Sequence, residues 1–157
     1  MINSLNRYAA YFSAFILAFL VILVVYDATA RYLFQTGSIA LQELEWHLFD
    51  VVILLGIGYT LQQNLHVRVD IFYDSFSERT RNIIDIFAFS FFIFPFSLLI
   101  IYIGFDFVML SFHQLEGSSN PGGLPYRYIV KSLMPLAFIL LGLQVLSELI
   151  KRIKALS

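Results

Sequence analysis

Cysteine is absent from this sequence. That excludes a disulfide framework, a zinc–thiolate site and any thiol chemistry. Charge is scarce: Asp, Glu, Lys and Arg make up 13% of the residues, about half the share of an ordinary soluble domain. The net charge of -1 offers no basic surface for nucleic acid. No GxGxxG, Walker loop, HExxH or CxxC occurs. The three histidines stand in three different places, so no Ser/His/Asp triad assembles. No stretch is left over for a soluble domain that could carry chemistry. An enzyme is not expected, nor a bound cofactor or metal.

What the chain does have is long apolar runs. Hydrophobic residues make up 59%, with 17 Phe and 9 Tyr among the 157 residues. A bilayer core of about 30 Å needs roughly 20 helical residues. Tyr8 to Tyr26, Ile86 to Phe105 and Ser132 to Ser147 carry no charge and read as three spanning helices. A fourth stretch, LQELEWHLFDVVILLGIGYTL at 41–61, is different. Its charge-free part, Val51 to Leu61, is too short to cross alone, so it must recruit the charged half from about Ile39. The expected fold is an all-α integral membrane domain, 1–157, with four transmembrane helices at about 8–30, 39–64, 83–112 and 128–150.

Counting Lys and Arg supports four crossings. Arg7, Arg68, Arg79, Arg81, Lys151, Arg152 and Lys154 would share one side, against Arg31, Arg127 and Lys131 on the other. Cytoplasmic loops are enriched in these residues, so both termini are expected in the cytoplasm. Arg7, an apolar run and Ala28-Thr29-Ala30 loosely resemble a cleaved signal peptide. The run is longer than the usual ~7–15 residues, so the segment is expected to stay. The 67–83 stretch spaces Phe72, Phe76 and Ile83 among charges. It is either a short amphipathic helix in the interface or a plain polar loop. The 113–127 loop, rich in Gly, Pro, Ser and Asn, is expected to be irregular. Pro95 should kink the third helix.

The charged half of helix two is the main candidate site. Glu43, His47 and Asp50 follow at i, i+4 and i+7 and share one face. Glu45 points nearly opposite, and Trp46 sits near the outer interface, where indoles are favoured. Glu43 and Glu45 are expected at headgroup depth, within reach of water. Asp50 approaches mid-bilayer, where carboxylates face protein or water and have a partner. His47, Arg31 and Lys131 are the candidates. The face serves as an internal polar network, as a docking face for another membrane protein, or as a proton or ion pathway. Gly56 and Gly58 favour docking, because small residues let helices approach. Asp27 and Arg31 read as a local i, i+4 ion pair. Asp106 and His113 read as exposed, and Glu148 followed by KRIK as an ordinary boundary. At 65–72, His66, Arg68 and Asp70 alternate with apolar residues.

These features together resemble the small membrane subunit of tripartite ATP-independent periplasmic (TRAP) transporters, the DctQ-like family. The resemblance runs over nearly the whole chain. It rests on Arg31-Tyr32-Leu33-Phe34, Glu43-Leu44-Glu45, Gly56, the His66-Val67-Arg68-Val69-Asp70 exit, and Leu124-Pro125-Tyr126-Arg127 leading to Pro135. The QELEWH wording and LPYRY…LMPLAFILLGLQ look most like the branch associated with mannitol, chloroaromatic or keto-acid uptake. Helix two lacks the tryptophan often found further along it in the family; Asp50 lies in that area.

The resemblance implies a scaffold role. A periplasmic binding protein would deliver an organic acid to a large, sodium-coupled elevator subunit. The small subunit would stabilise that subunit's fixed part and help the binding protein dock, in a bacterial or archaeal cytoplasmic membrane. Arg31, Glu43, Glu45, Trp46, His47, Asp50, His66, Arg68, Asp70 and Arg127 would form its partner-facing polar network, embedded in the lipid bilayer. Two other classes stay open: a haem- or quinone-binding anchor of a respiratory complex, and a small proton-coupled exporter working through Asp50.

Overall fold

The computed structural model describes residues 2–63 and 76–156. Helix α1 spans Ile2–Phe34, α2 Ile39–Gln62, α3 Glu78–His113, α4 Tyr128–Lys131 and α5 Leu133–Leu156. No strand occurs among the described residues. Four stretches are long and apolar enough to cross a membrane: α1, α2, α3 and the run from α4 through α5. The chain is therefore an all-α membrane protein, as its composition requires. In lipid every backbone N–H and C=O must be satisfied within the segment, and a helix does that.

Hydrophobicity does not say which side of these helices faces inward, because lipid is as apolar as leucine. Small and polar residues do. The buried residues of α1 are Asn6, Ser13, Leu20 and Asp27, spaced seven apart down one stripe. Helix α3 buries Ser97, Gly104 and Ser111 at the same spacing. At Gly104 an added Cβ would lie 3.2 Å from the Met134 side chain and 3.3 Å from Pro135. The glycine thus lets α5 come close. Gly58 of α2 similarly leaves room for the Asn6 amide of α1.

The helices stand in the spatial order α1, α2, α5, α3, with α1 and α3 on the two flanks. Helix α5 sits between α2 and α3 and is the most buried. Leu61, Phe89, Leu141 and Val145 form the apolar core there. Where a kink at Pro95 is expected, the structure shows a π-helical turn at Phe89–Ile93, just ahead of the proline. The ring removes a donor and crowds the preceding turn, and a wider turn accommodates both. Ser97 returns its hydroxyl to the Ile93 carbonyl at 2.7 Å. At ~1.5 Å per residue, α3 runs about 54 Å, well beyond the bilayer core. The 67–75 part of the expected interfacial segment lies outside the described residues. From Glu78 the chain already belongs to α3, capped by the Ser77 hydroxyl on the Thr80 amide at 3.2 Å.

Candidate functional site

Two polar clusters lie in or beside the membrane helices. The first closes the end where α1 leads into α2. Ser38 caps α2, and one turn later Glu43 is 2% exposed. Its carboxylate accepts from the Leu124 amide at 2.7 Å, the Arg127 guanidinium at 3.1 Å and the Asn120 side chain at 3.4 Å. It also accepts from the Ser118 hydroxyl. The 114–127 loop is thus irregular but not loose, because it is wound around one anion. A buried carboxylate is tolerable only when its lone pairs are filled in this way. Gly123 passes so close that an added Cβ would lie 2.7 Å from Glu43 Oε2. Beside the knot, Lys131 donates to Glu116 and lies 4.1 Å from the centre of the Phe107 ring. That ammonium holds the Glu116 carboxyl below the usual carboxylate range.

Glu43 was expected at headgroup depth and open to water. It is buried instead, because the loop folds over it. Glu45 lies near Asp27 and Arg31 of α1, and its Oε1 is buried with no hydrogen-bond partner among the described residues. Arg31 pairs with Asp27, as its i, i+4 spacing predicts. Trp46 is 65% exposed.

His47 lines a cleft of about 290 Å³ with Leu48, Val51, Pro125, Ile129 and Leu133. One turn further, Asp50 lines a second cleft, of about 240 Å³, with Leu54, Phe107, Val130, Lys131 and Met134. Glu43, His47 and Asp50 therefore do share a flank, but they do not form one network. None of the three expected partners bonds to Asp50: Arg31 is taken by Asp27, Lys131 by Glu116, and His47 stands apart. Asp50 is exposed and has no hydrogen bond to any described residue. It lies about 16 Å along α2 at ~1.5 Å per residue, and such a carboxylate facing lipid costs roughly 2.5–3.5 kcal/mol on insertion scales.

The second cluster ties the two termini together at the opposite end. Asn6 of α1 donates to Gln144 at 2.8 Å, and Gln144 donates to Glu148 at 2.9 Å and Asn3 at 3.3 Å. Lys151 closes on Glu148 at 2.6 Å. Nearby, Arg152 reaches Asp85 at 2.5 Å and Asn82 at 3.2 Å. Glu148 is thus no plain boundary residue: it is 6% exposed and bound on both sides. Gln144 is an uncharged amide in an apolar run, and that oddity was the available signal for it. His66, Arg68 and Asp70 lie outside the described residues. Asp106 and His113 are exposed on α3, as expected. Gly58 serves packing within the chain, whereas Gly56 has no atom within 4 Å of an added Cβ.

Four apolar crossings, with polar groups joined in pairs and knots, describe a multi-pass membrane protein. Residues 20–155 match the model of the DctQ component of tripartite ATP-independent periplasmic transporters. The match covers most of the chain, so the chain belongs to that family, which comprises transporter components and not enzymes. It is a small TRAP transporter subunit of the cytoplasmic membrane. A comparison with curated proteins found no match.

Proposed function

We propose that this chain is a static scaffold in sodium-driven uptake of an organic acid. It enlarges the fixed part of a large elevator subunit, and the Glu43-bound loop faces the periplasm, where a binding protein docks. Both termini then lie in the cytoplasm, in keeping with the Lys and Arg count. The observation that carries this reading is that polar contacts tie the helices together at both ends of the bundle. Glu43 holds the loop leading into α4 and α5, and Gln144 holds α1 to α5. A rigid support needs such fixed ends, and a moving carrier would have to break them. Arg31, Glu45, Trp46, His47, Asp50 and Arg127 then belong to, or brace, the surface that meets its partners.

The test is affinity purification from native membranes in mild detergent. A stoichiometric, many-spanning membrane protein and a periplasmic binding protein should come along. Recovery of a haem-bearing complex, seen as a Soret band, would sink the scaffold. The exporter reading has one observation on its side, the exposed Asp50 carboxylate at mid-span. It requires the isolated chain to move substrate into proteoliposomes and Asp50→Asn to stop it; the scaffold reading expects no transport by the isolated chain.

A further inference from the structure

We infer that the cleft at Asp50 is the seat of a basic side chain, Lys or Arg, carried by a transmembrane helix of the large subunit. This rests on the scaffold reading and specifies where the two membrane chains meet. Three observations converge on it. Asp50 is exposed halfway along α2 and bonds to no described residue. Among the described residues lining the same cleft, the one cation, Lys131, is committed to Glu116 and packed on the Phe107 ring. The remaining walls, Leu54, Phe107, Val130 and Met134, are apolar. Asp50, Glu116 and Lys131 together leave one negative charge without a counterion. An intramembrane carboxylate is retained when it faces protein and pairs. The partner must therefore bring the missing donor, and the apolar walls take the aliphatic stem of a long basic side chain. A lipid tail would fill the walls but leave the charge unmet. A second copy of this chain would present the same negative charge.

The experiment uses the chain co-expressed with its large subunit. A photo-crosslinking residue replaces Leu54 in the cleft or, as a control, Phe15 on the outer face of α1. Asp50→Leu, Asp50→Lys and the cleft-filling Met134→Trp are purified in parallel, with thermal unfolding of each isolated chain as the folding check. The expected result is capture of the large subunit from position 54 and not from position 15. Asp50→Leu should leave unfolding intact but cut co-purified large subunit at least tenfold. Asp50→Lys should do the same, and Met134→Trp should cut recovery as well, with a lowered unfolding temperature because Met134 also packs at Gly104. The inference is overturned if Asp50→Leu binds the large subunit as well as the native chain does. It is equally overturned if position 54 captures phospholipid or a second copy of the chain. Both results leave the scaffold reading standing. If the native chain recovers no large subunit at all, the scaffold reading itself fails and the cleft falls with it.

Discussion

Glu43 and Asp50 lie seven residues apart on one flank of the same helix, yet their surroundings are opposite. Glu43 is sealed under a loop that supplies a hydroxyl, an amide N–H, a carboxamide and a guanidinium. Asp50, two turns deeper, opens into an apolar cleft and receives nothing. The first carboxylate completes the fold, and the second is left for something outside the chain. Position on a helical face alone therefore says little about a charged residue in a membrane protein. What decides is whether the chain returns a donor to it.

The contrast can be broken most severely at Glu43. Replacing it with alanine leaves Arg127, Ser118 and the Leu124 amide without their common acceptor. The isolated chain should lose several degrees in thermal unfolding, and the 117–124 loop should become cleavable in limited proteolysis. Gly123→Val should reproduce both effects by forcing the loop off the carboxylate. An unchanged cleavage pattern would show that the loop is held some other way.

The cluster at the far end provides a reference. Gln144→Leu should destabilise the chain by about 1–3 kcal/mol, because Asn6 and Glu148 would each lose a buried partner. Denaturant unfolding of the detergent-solubilised chain measures this. Asp50→Leu then tests the other side of the contrast. In the isolated chain it should leave the unfolding temperature unchanged or raise it by a degree or two, opposite in sign to Glu43→Ala. A clear fall would mean that Asp50 has an internal partner after all.

The smallest effect belongs to Glu116, whose folded carboxyl is held below its ordinary value of 4.5 by Lys131. A depressed pKa stabilises the fold above that ordinary value, and the contribution fades as pH falls through the lowered one. Unfolding temperature measured from pH 7 down to about pH 3 should thus fall more steeply for the native chain than for Glu116→Gln. Matching slopes would place the acid sensitivity elsewhere, with Glu43 the next carboxylate to test.

Much of this was legible in the residues. The four crossings follow from run length and charge spacing, including the charged first half of α2, and the Asp27–Arg31 pair follows from i, i+4. The family resemblance was readable in short motifs such as LPYR, of which Arg127 proves to be part of the Glu43 knot. Less legible was the inward face of each helix. Asn6, Ser13 and Asp27 mark it in α1, and Ser97, Gly104 and Ser111 in α3, at a seven-residue spacing that a reading of hydrophobicity passes over. Gln144 and Glu148 looked like a stray amide and a boundary carboxylate because their partner, Asn6, lies at the other end of the chain.

By itself the sequence determined four helical membrane crossings, because apolar runs of about 20 residues match the bilayer as helices and a helix satisfies its own backbone in lipid. It also placed Glu43, His47 and Asp50 on one flank, because helical geometry is local. Only the tertiary structure decided which of them would be satisfied. The donors to Glu43 come from residues more than 70 positions away, brought there by the packing of α5 between α2 and α3. The same packing commits Lys131 to Glu116 and leaves Asp50 open. Hydrogen bonds are short and directional, so a donor's value depends on where the fold delivers it.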